Sequence, residues 1–229
     1  MFNQKFLSNL LLLFVFQAGW GIMSAEAGLL GDYTTNSDPI VVKQRRTLGS
    51  GSRLGCRSNL PEKSVELLVP PSEVVHQTNS PTPTLFLHSK VASSLPFKFT
   101  LVNPQVDQPL VEQTFSISEP GIKQIKLPKS TKLEEGTVYL WYVAIPCVQN
   151  TQQYQEVLGA AIERVPVTRK VKTQLQLANT TDEKATVYAR NGIWYEAVDL
   201  AVGDYTNPTT EGNSSDYLEQ LLSSVNSKQ

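Results

Sequence analysis

Residues 133–147 read LEEGTVYLWYVAIPC, and no other stretch restricts the fold of this chain as much. From Thr137 the side chains alternate, so Tyr139, Trp141, Val143, Ile145 and Cys147 share one face, as a half-buried strand requires. That face is the best core candidate in the chain. The opposite face carries Val138, Leu140, Tyr142, Ala144 and Pro146. It is apolar enough to call for a second cover or to offer an aromatic surface to a partner.

Runs rich in branched and aromatic residues precede and follow this strand, at residues 65–69, 84–88, 96–102, 110–118, 122–127 and 156–167. Turn residues stop them: Pro70-Pro71, the proline-rich residues 79–83, Asn103-Pro104, Glu119-Pro120-Gly121 and Pro128. With residues 137–147 this makes seven strands without a helical period between them. The pattern predicts a mainly β fold with an α-helical C-terminal part: an immunoglobulin/fibronectin-III-like antiparallel β-sandwich of two packed sheets. Residues 133–139 resemble the L-x-P-G-T-x-Y corner of fibronectin type III domains, with Glu135 where proline is usual. The resemblance implies that the Tyr139 phenol bonds back to backbone near the preceding turn. Cys147 follows Tyr139 by eight residues rather than two, which excludes the antibody-type disulfide pattern.

After Val167 the period changes. Val167, Val171 and Leu175 recur every four residues, the spacing of one helix face. Thr180 and Glu183 form a capping-box pattern for a helix continuing over residues 185–190 and ending at Asn191-Gly192. A second helix is expected over residues 194–202 with Trp194, Val198, Leu200 and Ala201 inward, then a polar loop at 204–213 and a final helix at 215–225. Gly192-x-Trp194-x-x-Ala197 resembles the turn between the helices of a tetratricopeptide repeat. A single such unit cannot bury its own face, so the expectation is a helical hairpin docked on the sandwich.

The start of the chain reads as an export signal. Lys5 precedes the apolar run at residues 6–20, and Ala25-Glu26-Ala27 supplies a cleavage pattern, with the cut after Ala27 or, failing that, after Ala25. The run is shorter than the ~20 residues that span a bilayer, and no later stretch approaches that length. The domains expected are therefore a signal peptide (1–27), a flexible N-terminal arm (28–59), the β-sandwich (60–167) and an α-helical C-terminal region (168–229). The mature chain would have no membrane span and would be periplasmic or extracellular. Its two cysteines, Cys56 and Cys147, are expected to form a disulfide in that oxidising setting. The chain-entropy account gives about 4–5 kcal/mol for closing a loop of this length.

Several of these segments together resemble an exported cyanobacterial family, domain of unknown function 928. The residues that carry the likeness are Gly51-Ser52-Arg53-Leu54-Gly55-Cys56, Pro81-Thr82-Pro83-Thr84-Leu85-Phe86, residues 133–147, and Ala161-Ile162-Glu163-Arg164-Val165. The most specific is Tyr188-Ala189-Arg190-Asn191-Gly192-Ile193-Trp194-Tyr195-Glu196-Ala197. Leu54, Pro81 and Tyr217 depart from the family's glycine, histidine and tryptophan. The resemblance covers residues 45–225 and implies a compartment, an architecture and a pair of cysteines, but no activity.

Catalysis finds little support in the residue types. Only His76 and His88 could serve as imidazole bases, and no G-x-S-x-G elbow occurs. The carboxylates of Glu134, Glu135, Glu156 and Glu163 leave a cryptic hydrolase as a third reading. No metal-ligand spacing or cofactor motif is present, so neither a metal nor a cofactor is expected. The formal net charge of -1 argues for no class of partner. Lys123, Lys126, Lys129 and Lys132 would be scattered along a strand edge, which speaks against nucleic acid. The leading expectation is a non-enzymatic protein-interaction module of the cell envelope, with Trp194 and Tyr195 as candidate contacts. The alternative is a carbohydrate or envelope-polymer binder that stacks on Tyr142 and uses the basic arm at Arg45, Arg46 and Arg53. Partner identity and oligomeric state are not specified.

Overall fold

The computed structural model describes residues 60–206, apart from 62, 71–73, 149 and 152, together with residue 219. Eight strands come first: β1 (Val65–Leu67), β2 (His76–Thr78), β3 (Thr84–Ser89), β4 (Ser93–Val102), β5 (Val111–Ile117), β6 (Gly121–Lys126), β7 (Val138–Pro146) and β8 (Tyr154–Arg164). Three helices follow: α1 (Arg169–Leu177), α2 (Thr181–Arg190) and α3 (Trp194–Thr206). The signal segment, the arm with Arg45, Arg46, Arg53 and Cys56, and the helix expected at 215–225 lie outside the described residues.

The strands form two sheets, one of three strands in the order β1-β3-β6 and one of five in the order β2-β8-β7-β4-β5. Among the described residues the fold is mainly β with three helices after the strands. Seven of the eight described strands coincide with the runs rich in branched and aromatic residues. β2 does not, and it corrects the expectation of wholly antiparallel sheets: His76, Gln77 and Thr78 run parallel to Ile162, Glu163 and Arg164. The cause is the path of the chain. After β1 has paired with β3 on the small sheet, the chain passes to the large sheet and lies along its last strand. The pairing is continued by the Val165 amide, which donates to the Thr78 carbonyl at 2.8 Å.

The large sheet turns Phe97, Phe99, Leu101, Tyr139, Trp141, Val143 and Ile162 inward, where they join Leu85, Phe86, Leu87 and Ile125 in one core. Alternation along β4 and β7 dictates this, because the registers Phe99↔Val143 and Leu101↔Trp141 keep apolar side chains on a common face. The Phe99 and Trp141 rings meet at 6.3 Å with a 44° tilt. The same core takes in Ala185 and Ala189 of α2 and Trp194, Ala197, Val198, Ala201 and Val202 of α3. Burial is therefore continuous from the sheets into the helices.

Local chemistry starts and stops the helices. The Thr168 side chain caps α1 by accepting from the Val171 amide, and Val171 is that helix's buried residue. The first turn of α2 carries a reciprocal pair: the Thr180 hydroxyl accepts from the Glu183 amide at 3.1 Å, and the Glu183 carboxylate accepts from the Thr180 amide at 3.2 Å. Gly192 at φ +77° makes the turn into α3, a conformation that a Cβ would oppose. Among the described residues no helix is long and apolar enough to cross a membrane.

Candidate functional site

Two places in this architecture gather polar or aromatic groups: the seat of α3 on the sheets, and the outward face of the five-stranded sheet.

At the seat, three consecutive residues of α3 each reach a different part of the β-structure. The Trp194 indole nitrogen donates to the Leu68 carbonyl at 3.0 Å, and its ring lies 6.2 Å from that of His76. The Tyr195 hydroxyl accepts from the Trp141 indole nitrogen at 2.9 Å and donates to the Ala161 carbonyl at 3.4 Å. Oε1 of Glu196 accepts from the Thr78 hydroxyl at 2.6 Å and from the Ser80 and Asn79 amides at 3.0 and 3.1 Å. Glu196 stands in the first turn of α3, where a carboxylate meets the positive end of the helix dipole. Burial still pushes its carboxyl above the usual carboxylate range, against the pull of these hydrogen bonds. Its other oxygen, Oε2, is buried without a partner among the described residues. Burial also lowers His76 to about 4, although a hydrogen bond to the Pro70 carbonyl works in the opposite sense.

Trp194 and Tyr195 are 0% and 2% exposed. The pair expected to meet a partner is instead interior, because an indole and a phenol at the start of α3 fill the wedge between helix and sheets. Both polar tips find acceptors or donors there. Neither side chain is presented to solvent. Tyr139 is also interior, and its phenol oxygen accepts from the Glu134 amide at 3.0 Å, tying the start of β7 to the turn before it. Cys147 is buried at the end of β7, and no described cysteine is free.

On the outward face of the large sheet, cross-strand rows follow from the registers. Thr100, Tyr142 and Gly159 form one row, with Val102, Leu140 and Ala161 on one side of it and Lys98, Ala144 and Val157 on the other. Tyr142 is half-exposed, and its ring lies across Gly159, where a built Cβ would come within 2.7 Å of Cδ1. Only glycine leaves room for that ring, which thus lies along the sheet. Partial burial holds the phenol above its ordinary value. The rim carries an ion pair between Lys98 and Glu112 at 2.6 Å, and the hydrogen bond it includes raises Lys98. At the opposite rim Gln77 donates to Glu163 at 3.3 Å. This arrangement can bind by contact and hydrogen bonding.

The carboxylates considered for hydrolysis are engaged by their own surroundings or exposed. Glu135 pairs with Arg164 at 3.1 Å, Glu163 with Gln77, Glu134 lies in the turn before β7, and Glu156 is exposed opposite Ile145. Among the described residues no group of three His, Cys, Asp or Glu side chains could hold a metal ion. Sequence reasoning did not single out Glu196, Thr78 or Gly159. For Glu196 a signal was present, since it stands inside the most specific of the family-like segments, two residues after Trp194.

The family model described as Domain of Unknown Function (DUF928) matches residues 48–229. No match is found among curated proteins or among solved structures.

Proposed function

The chain belongs to the DUF928 family, and from that premise we propose that it is an exported, non-enzymatic interaction module of a cyanobacterial cell envelope. It binds a protein partner with the outward face of its five-stranded sheet. Export rests on the leader at 1–27 with cleavage after Ala27, and a Cys56–Cys147 disulfide ties the arm to the end of β7. The architecture is that of an immunoglobulin or fibronectin type III sandwich. In the lettering of such folds the small sheet reads A-B-E and the large one contains G-F-C and C′, and Tyr139 stands at the tyrosine corner.

The single observation that carries the reading is the half-exposed row of Thr100, Tyr142 and Gly159, bordered by Val102 and Leu140 and rimmed by the Lys98–Glu112 pair. An apolar centre with an aromatic and a polar rim is the anatomy of a protein interface. Trp194 and Tyr195 act indirectly, by seating the hairpin that buttresses the sheets. The test is in-cell cross-linking of the tagged protein, with mass spectrometry of the captured species. A discrete partner should appear with the wild type and with Glu134→Lys, and be lost with Tyr142→Lys. Equal capture by all three would overturn the assignment of this face.

A second reading, a glycan or envelope-polymer binder, is favoured by the way the Tyr142 ring lies along the sheet over Gly159. Titration of native envelope glycans separates the two. Saturable binding lost in Tyr142→Ala, without a captured protein, would replace the protein partner by a polymer.

A further inference from the structure

We propose that a second copy of this chain pairs with the free edge of β5, antiparallel and about a two-fold axis through Thr114, so that the two five-stranded sheets join into one. Among the described residues β5 ends the large sheet and has β4 as its only neighbour. A strand in that position offers a row of unpaired amides and carbonyls unless something blunts it. The other sheet edges are blunted. β1 and β2 are three residues long, and β6 carries Lys123 and Lys126. β5 has seven residues, VEQTFSI, with no lysine, arginine, proline or glycine among them. Its one charge, Glu112, is already neutralised by Lys98 within its own sheet.

The occupant follows from the strand's self-complementarity. With Thr114 opposite itself, Glu112 faces Ser116, Gln113 faces Phe115, and Val111 faces Ile117, so all seven residues pair. Threonine facing threonine is a favourable cross-strand pair. No like charges meet. Moving the axis to Glu112 would set two carboxylates against each other, and sliding by one residue would turn the core-facing side chains outward. In the Thr114 register Val111 and Ile117, both buried, remain on the inner side, and half-exposed Phe115 gains cover. Leu110, 41% exposed beside the strand, then lies opposite Ser118 of the other copy. The pairing is isologous and closes at two copies. This inference goes beyond the partner-binding reading and does not depend on it, since it concerns the sheet's edge rather than the row around Tyr142.

Sedimentation equilibrium of the full mature chain tests it. The wild type and Thr114→Val should pass from monomer to dimer with rising concentration. Thr114→Lys, which sets two ammonium groups face to face, should weaken association by about tenfold or more with unchanged circular dichroism. Cysteine placement reads the register. Thr114→Cys should oxidise to a reducible dimer, its Cβ atoms being about 5 Å apart. Ser116→Cys should not, because its two copies are four residues apart along the strands, about 14 Å. A chain that stays monomeric at every concentration would overturn the proposal. So would a folded Thr114→Lys that still dimerises, or Ser116→Cys cross-linking as readily as Thr114→Cys.

Discussion

The hydroxyl of Thr78 donates a 2.6 Å hydrogen bond to Oε1 of Glu196, joining residues 118 positions apart in the chain. The same oxygen takes the Asn79 and Ser80 amides, so one carboxylate satisfies the donors at the end of β2 while it sits in the first turn of α3. β2, only three residues long, gains its place from this helix on one side and from β8 on the other. The strand and the helix are thus parts of a single device.

Glu196→Ala should destabilise the protein by about 1–3 kcal/mol, because it leaves buried donors unpaired. Glu196→Gln keeps an acceptor for Thr78 and removes the burial of a charge, so its loss should be distinctly smaller. Urea unfolding at neutral pH, followed by tryptophan fluorescence, measures both. Equal losses would mean that the charge, not the acceptor, holds the seat.

Stability should fall on acidification from about pH 6.5 to about pH 4, by on the order of 3 kcal/mol from His76 alone. The folded imidazole is lowered to about 4 by burial, so the unfolded chain takes up the proton first. Glu196 works in the other direction. Its raised value makes its contribution fully present below the unfolded pKa and lost as pH rises through the folded one. His76→Gln should therefore flatten the acid limb of the curve. Glu196→Gln should steepen it. Denaturant midpoints across this range decide the matter.

Gly159→Ala should cost about 1–3 kcal/mol, since the new methyl group would press on the Tyr142 ring at 2.7 Å. Tyr142→Ala in the same chain should recover most of that loss. A double-mutant cycle by thermal unfolding measures the coupling. Additive effects would show that the ring moves away freely.

Tyr139→Phe should destabilise the fold by about 1 kcal/mol, because the Glu134 amide loses its 3.0 Å acceptor while the ring still fills its place. Chemical denaturation provides the comparison. Most of the effect should be an increase in unfolding rate if the corner closes late in folding.

How much of this could be read from the chain depends on the range of the interaction involved. Thr180 and Glu183 are three residues apart, and the capping box they form is written in that spacing. Tyr139 and Glu134 are five apart, and the bond between them belongs to a turn motif. Trp141, Val143 and Ile145 lie inward because a strand has a period of two and one of its faces is buried. β2 was invisible by the same logic. Three residues are too few to set a period, and a parallel pairing with β8 requires a partner more than eighty residues away.

The role of Trp194 and Tyr195 also lay beyond local pattern. An aromatic pair at the start of a helix reads the same whether it meets a partner or the protein's own sheets. Only packing decided, by placing the Leu68 carbonyl and the Trp141 indole within reach of their polar tips. By itself, then, the sequence determined the strand faces, the turns and the helix caps, because those arise from residues within a few positions of one another. The tertiary structure alone decided which sheet each strand joined, that the helices share the core of the two sheets, and that Tyr142 lies across Gly159 on a face turned outward. Those outcomes depend on contacts between distant residues whose burial cannot be known until the layers are assembled.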